Sequence, residues 1–300
     1  MSITSDEIST QPELWRRAVS LADGAAELLP AAGERVAVVG CGTSLFMAQA
    51  YAALREGAGH GETDAFAASE LPEARPYDVL VAITRSGTTS EVTRVLERSA
   101  AKRTVALTAV VDSPVGAAAG ATIDLGFADE ASVVQTRFAT TGLALLRAQV
   151  DRDAVRAAAD DAQRALEQPL PLDPRAVEQW SFLGLGWTVG LAHEAALKLR
   201  EAAQAWAESY NAFEYRHGPI SVAAPGRVVW AMSALDAAIG EQIRATGATL
   251  VVPELDPMAS LVLAQRAMLG IAEARGLNPD RPRNLTRSVV LSEEELEVLT

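Results

Sequence analysis

The chain has 300 residues with 26 basic and 39 acidic side chains, three histidines and one cysteine, for a formal charge of −13. Such a surface repels phosphate polymers and anionic bilayers unless a local basic patch intervenes, so neither nucleic acid nor a membrane is an expected partner. Cys41 cannot form an internal disulfide, and beside only His60, His193 and His217 it leaves no zinc-ligand spacing, so a reducing, metal-free compartment and no cofactor are expected.

The opening MSITSDEISTQPELWRR is polar and acidic, without the basic and apolar regions of a signal peptide, and no run approaches the ~20 apolar residues of a membrane span. A cytoplasmic location is the expectation. Aromatic content of 5% with abundant alanine suits closely packed helices.

Helical periodicity runs from Gln11 to Leu29 through Leu14, Trp15, Ala18, Leu21, Ala22 and Ala25, and Pro30 stops it. Short β-branched runs follow at Val36 to Val39, Val79 to Ile83, Val105 to Ala109 and Thr122 to Leu125. With alanine- and leucine-rich helical stretches between them, they predict a parallel sheet covered on both faces. Residues 132–165 read as one long helix, and EQPLPLDP (167–174), with three prolines, reads as a linker. The pattern then restarts with a strand at 180–183, a helix at about 189–207, a strand at 228–232, a helix near 237–245 and a strand at 249–252.

The restart is a repeat. VVGCGTSLFMAQAYAALRE (38–56) and FLGLGWTVGLAHEAALKLRE (182–201) superpose at one offset that sets Gly40 on Gly184, Gly42 on Gly186 and Ser44 on Thr188. A strand, a GxGx(S/T) turn and an alanine-rich helix recurring in order indicate a duplicated unit.

Each such turn sits where a parallel strand ends and a helix begins, where backbone N–H groups and the positive helix end can bind an anion; a tight βα turn with no ligand is the plainer alternative. GCGTSL lacks the third glycine of a dinucleotide fingerprint and GLGWTVG has it one residue late, which weakens a dinucleotide-dependent oxidoreductase. A second turn, TRSGTTSE (84–91), carries five hydroxyls and Arg85 around one glycine, with Glu91 in the first helical turn as a cap partner. Many Ser/Thr clusters are only helix caps. Here Ser44 and Thr84 end neighbouring parallel strands, so their hydroxyls converge on one crevice suited to a single phosphate.

Glu194, Lys198 and Glu201, four and three residues apart, share one helical face. Pattern alone favours a solvent-facing Glu194–Lys198 pair worth about a few tenths of a kcal/mol. His217 precedes Gly218 and Pro219 in a loop where an imidazole can reach a ligand, although a histidine there is more often structural.

GCGTS (40–44), TRSGTTSE (84–91), VVQTRFATT (133–141), EAALKLREAAQAWAESYNAFEYRHGP (194–219) and PRNLTRS (282–288) together resemble the double sugar-isomerase (SIS) domain family. The chain is similar to the isomerase half of glucosamine-fructose-6-phosphate aminotransferase and to stand-alone phosphosugar isomerases, deaminases and deglycases. The resemblance implies an α/β fold of two tandem SIS domains, each a parallel sheet in a three-layer, flavodoxin-like α/β/α arrangement. A helical segment at 1–30 would precede a first domain at 31–166, a second at 175–281 and a closing tail at 282–300.

The resemblance further implies that Gly42, Ser44, Thr84, Arg85, Ser86 and Thr89 surround a sugar phosphate, with Val133 and Gln135 near the sugar. Glu201 falls where the family has its proton-shuttling carboxylate. His217 falls where it has a ring-opening histidine supplied by the neighbouring subunit, which implies a homodimer. Those residue types suit the chemistry, since a carboxylate can carry a proton between adjacent carbons and an imidazole can exchange protons near neutral pH.

Two departures bear on the reaction. Only residues 1–35 precede the first expected strand, so no glutaminase domain is expected in this chain. The synthase's Schiff-base lysine is Arg287 here, and a guanidinium stays protonated and forms no imine. Arg287 could instead hold a carboxylate, a phosphate or the closing tail. Deamination or deglycation of an amino-sugar or fructosamine 6-phosphate, or aldose–ketose isomerisation, therefore ranks above synthesis. The alternative is a non-catalytic sugar-phosphate-binding regulatory protein, which the joint presence of Glu201 and His217 disfavours.

Overall fold

The computed structural model describes residues 2–72 and 74–297. Helices α1 (Ile3–Ser9) and α2 (Gln11–Gly24) lead into β1 (Val36–Gly40), α3 (Thr43–Gly57), β2 (Thr63–Ala67), β3 (Val79–Thr84) and α4 (Ser90–Arg98). Then come β4 (Arg103–Thr108), α5 (Pro114–Ala118), β5 (Ala121–Asp124), α6 (Arg137–Ala148) and α7 (Arg152–Glu167). The remainder runs β6 (Gln179–Gly184), α8 (Thr188–Ala203), β7 (Trp206–Asn211), β8 (Arg227–Ala231), α9 (Ala237–Ala245), β9 (Thr249–Val251), α10 (Pro257–Ala274) and α11 (Glu293–Glu297).

These elements group into two compact units, each α/β with one parallel sheet. The five-stranded unit holds residues 13–131, 137–156 and 286–300, and the four-stranded unit holds 1–12, 132–136 and 157–285.

In the five-stranded unit the order is β2-β1-β3-β4-β5, with Val36 in register with both Thr63 and Val79. Strands β1 and β3 are buried along their whole length, as unbroken apolar strands must be when both sheet faces are covered. Chain order reverses between β1 and β3, so the turns leaving those strands flank the switch point where open parallel sheets hold ligands.

The four-stranded sheet repeats that order without its last strand, as β7-β6-β8-β9. Its core stacks Phe182 on Trp180 and tilts it against Trp230, ring centroids 6.1 Å apart in each pair. Such pairs add about 0.5–1.5 kcal/mol beyond their burial. The buried Trp230 indole is satisfied by Ser260 at 3.0 Å.

Several expected elements change. The helix expected to Leu29 ends at Gly24, and α1 precedes it. The long helix expected over 132–165 is two, α6 and α7, and residues 132–136 are irregular. Side chains divert that backbone from helix: Ser132 bonds Glu7 and the Val134 carbonyl, and the Arg137 N–H goes to Glu130 Oε1 at 2.8 Å. Strand β2 was not expected, and β7 takes over the end of the helix expected to 207, because Gln204 turns left-handed (φ 48°) after α8. Among the described residues no helix is long and apolar enough to cross a membrane.

Candidate active site

The first turn of the five-stranded unit is set by two glycines with different duties. A Cβ on Gly40 would lie 2.6 Å from the Ser44 carbonyl carbon, so only glycine lets β1 pass this close to the start of α3. Gly42 caps α3 at φ 55°, a positive φ that favours glycine, with open space where its Cβ would be. Ser44 is buried in the first turn of α3, and its N–H donates to the Cys41 carbonyl at 3.1 Å. Burial, then the nearby Glu91 carboxylate, pushes the Cys41 thiol up to about 11.

After β3 the chain passes through Thr84, Arg85 and Ser86, all buried, to Thr88 and to Thr89, the residue before α4. The Ser86 hydroxyl accepts from the Thr88 N–H at 3.2 Å and from the Thr88 hydroxyl at 3.1 Å. Ser288 completes the cluster, its Oγ 2.9 Å from Thr88, 3.1 Å from Ser86 and 3.5 Å from Thr89. Glu91 stands in the first turn of α4 as expected but caps nothing: Thr89 makes no side-chain capping bond, and Glu91 Oε2 is buried without a partner among the described residues.

Arg85 turns away from solvent. Its guanidinium lies 3.6 Å from the buried Glu130 carboxylate and donates to the Arg287 carbonyl at 3.1 Å. Arg287 reaches back to the Asp129 carboxylate at 2.5 Å and to the Glu130 carbonyl. Of the three uses open to Arg287, it holds a carboxylate and, through the same contacts, ties down the C-terminal segment. Ser288 and Glu130 had no individual signal in the sequence, although Ser288 closes the PRNLTRS motif.

In the four-stranded unit the turn after β6 reproduces the first. A Cβ on Gly184 would lie 2.4 Å from the Thr188 carbonyl oxygen, and Gly186 has φ 57°. Helix α8 carries Glu194, Lys198 and Glu201 on one face, as their spacing requires. The Glu194–Lys198 pair is not solvent-facing: both side chains are 1% exposed, because α8 packs against β6, β7 and α10. Lys198 Nζ lies 3.6 Å from Glu194 and 2.5 Å from Glu201, whose side chain keeps 19% of its surface open.

Glu201 opens on a cavity of about 430 Å³ lined also by Arg200, Gln204, Ala205, Arg283, Asn284 and Leu285. Gln204 (φ 48°) and Asn284 (φ 63°) are the only non-glycine residues at positive φ among the described residues, and both stand in this wall. Each such residue costs about 1–3 kcal/mol, and such strain gathers at functional sites. Asn284 falls in a motif legible in the sequence; nothing marked Gln204.

Val133 and Gln135 lie half-buried in the irregular segment 132–136. The Val133 N–H donates to the Asp280 carbonyl at 2.9 Å, and Gln135 Oε1 is buried with no partner among the described residues. His217 ends a short 3₁₀ turn (Glu214–His217) and is exposed; it lines neither the cavity beside Glu201 nor its neighbour along 276–283. His193 Nδ1 pairs with Ser209 Oγ at 2.8 Å, and burial, with Arg200 nearby, lowers its basicity. Among the described residues no group of three His, Cys, Asp or Glu could hold a metal ion.

The family model described as the SIS domain matches residues 29–148, which span the five-stranded sheet and the turns after β1 and β3. This stretch is similar to the SIS domain. The chain is 29% identical over 297 residues to glutamine–fructose-6-phosphate aminotransferase [isomerizing] of Sulfolobus acidocaldarius, covering 86% of this chain and 50% of that protein. It spans about half the length of the curated relatives it matches. Among solved structures it resembles glucosamine-6-phosphate deaminase from Thermotoga maritima, at TM-score 0.81 and 24% identity, covering 97% of this chain and all of that one. It also resembles tagatose-6-phosphate ketose/aldose isomerase from Escherichia coli, at TM-score 0.77 and 19% identity, covering 95% and 97%. At those identities the likeness is one of fold.

Proposed function

We propose that the chain is a cytoplasmic enzyme that converts a phosphorylated sugar by moving a proton between C1 and C2. The four-stranded sheet, within 175–281, forms a second SIS domain, and the active form is a homodimer. The reaction is aldose–ketose isomerisation or, where the sugar carries nitrogen at C1 or C2, deamination or deglycation. The observation that carries this reading is Glu201: a half-sheltered carboxylate, anchored by Lys198 and opening on a cavity.

Gly42, Ser44, Thr84, Ser86 and Thr89 receive the phosphate through hydroxyls and backbone N–H groups at the helix starts. Arg85 supports that loop from behind through Glu130 and Arg287, adding positive charge to it. Val133 and Gln135 contact the sugar. His217, supplied by the partner protomer, opens the ring by proton exchange at its oxygens. The exposure of His217 and its absence from the wall around Glu201 support its acting across the dimer.

For a fructosamine 6-phosphate, the Glu201 carboxylate removes a proton from C1. The electron pair forms the C1–C2 double bond as the C2 oxygen gains a proton. Glu201 returns the proton to C2, and the C1–N bond becomes an iminium. Water adds to C1, the C–N pair leaves with nitrogen, and an aldose phosphate and a free amine result. With a substrate that brings its own nitrogen, no enzyme lysine is needed, which fits Arg287.

The test is a screen of glucosamine, fructose, tagatose and fructosamine 6-phosphates for isomer, ammonia or amine release, with Glu201→Gln beside the wild type. Glu201→Gln should abolish solvent-deuterium exchange into the bound sugar while leaving affinity within about twofold. Undiminished exchange would remove Glu201 from the shuttle role.

A further inference from the structure

A cavity of about 270 Å³ lies in the five-stranded unit, between α4 and the connection from β2 to β3. Glu91, Arg94, Val95 and Arg98 enter its wall from α4, at the spacing of one helical face, and Ala68, Leu71 and Pro72 line it from the connection. None of the residues assigned above to the phosphate or to the proton shuttle lines it. It is a compartment of its own.

Two charged groups in that wall are left unsatisfied. Glu91 Oε2 and Arg94 Nη2 are buried with no hydrogen-bond partner among the described residues, although the two side chains are neighbours at i and i+3. Arg94 uses its other terminal nitrogen on the Leu296 carbonyl. The other ionisable groups of the wall are engaged or exposed. Tyr77 donates to the Asp64 carboxylate at 2.6 Å, Arg75 pairs with the same group at 3.5 Å, and Arg98 is exposed in the last turn of α4. Buried polar atoms without partners are rare in folded chains, because each gives up its hydration for nothing in return, and a charged atom gives up most.

We propose that this cavity binds a free aliphatic α-amino acid, with its ammonium on Glu91, its carboxylate on Arg94 and its side chain among Ala68, Leu71, Pro72 and Val95. Glu91 and Arg94 are adjacent on the helix surface, so a ligand that satisfies both must carry a cation and an anion close together, and an α-amino acid holds them on one carbon. A guanidinium fork matches a carboxylate in geometry as well as charge. The size also fits: at about 30 Å³ for each water-sized group, 270 Å³ holds about nine, the number of non-hydrogen atoms in leucine. Occupancy of this site requires neither a phosphosugar nor turnover, so it stands or falls apart from the proposed reaction.

The experiment is calorimetric titration at pH 7 with L-leucine, with 4-methylpentanoate, which lacks the ammonium, and with 3-methylbutylamine, which lacks the carboxylate. Wild-type protein should bind leucine about tenfold or more tightly than either analogue. Glu91→Gln should weaken leucine by about tenfold while leaving 4-methylpentanoate within about twofold. Arg94→Gln should weaken leucine and 4-methylpentanoate alike while sparing 3-methylbutylamine, and Arg94→Lys should recover part of the loss. Glu91→Gln is isosteric, so it carries the test if Arg94→Gln fails to fold. No binding of leucine to the wild type would overturn the inference. So would displacement of leucine by inorganic phosphate, which would put it at the phosphate turns, or equal losses on all three ligands, which would mean that Glu91 and Arg94 shape the cavity without reading charge.

Discussion

Lys198 Nζ lies 2.5 Å from Glu201 Oε2, three residues along α8, while its other side faces Glu194 at 3.6 Å. One buried ammonium thus fixes the orientation of the single carboxylate in the triad that remains open. Truncating Lys198 removes a buried counter-charge of Glu194, so Lys198→Met should cost about 3–5 kcal/mol of unfolding free energy. Removing both charges together, as Glu194→Leu with Lys198→Met, should recover most of that loss. Urea denaturation of the three variants reads both effects, and a double variant as unstable as the single one would contradict the coupling.

The hydroxyls of Ser86, Thr88, Thr89 and Ser288 form one hydrogen-bonded cluster, and the proposed function assigns phosphate recognition to this loop. Ser86→Ala with Thr89→Ala should weaken binding of phosphorylated sugars by about tenfold or more, and of the free sugars far less. Calorimetric titration of matched pairs decides it. Equal weakening would show that the loop does not read phosphate.

Mixing inactive variants tests the proposal that the site is shared between protomers. Glu201→Gln and His217→Asn homodimers should each be inactive. After unfolding and refolding together, random pairing with sites built from both protomers should restore about a quarter of wild-type activity. No recovery would place both groups within one protomer's site.

Cys41 is half-buried beside Glu91 with its thiol pushed up to about 11. At pH 8 its thiolate fraction, and with it alkylation by iodoacetamide, should be on the order of 100-fold below that of the unfolded chain, and should rise with pH toward 11. Fast alkylation of the native protein at pH 8 would contradict that placement.

The paired turns predict a ranked effect of methyl groups. Alanine at Gly42 or Gly186 meets open space and should cost about 1–3 kcal/mol in backbone strain. Alanine at Gly40 or Gly184 runs into the backbone of the following helix, 2.6 Å and 2.4 Å away, and should cost more. Thermal melts of the four single variants give the ranking.

Much of this was legible in the chain because it depends on neighbours in sequence. Apolar runs at 36–39, 79–83, 105–109 and 180–183 are long enough to declare buried parallel strands, and GxGx(S/T) fixes the turn after each first strand, since only glycine tolerates the close approach at Gly40 and the positive φ at Gly42. What escaped local reading were edges and partners. Strands β2 (TDAFA) and β7 (WAESYN) are polar enough to pass for loop or helix and exist because β1 and β6 offer them a parallel ladder.

The same division holds at the site. The spacing of Glu194, Lys198 and Glu201 determined that they share a face, but only packing against β6, β7 and α10 decided that this face is buried and that Lys198 serves two acids. Likewise the motif containing Arg287 and Ser288 could be read from the chain, whereas their engagement with Asp129 and Ser86 joins residues far apart in sequence. Composition and periodicity encode which surfaces seek burial; which charges then find one another is set by long-range packing, whose energies no sequence window contains.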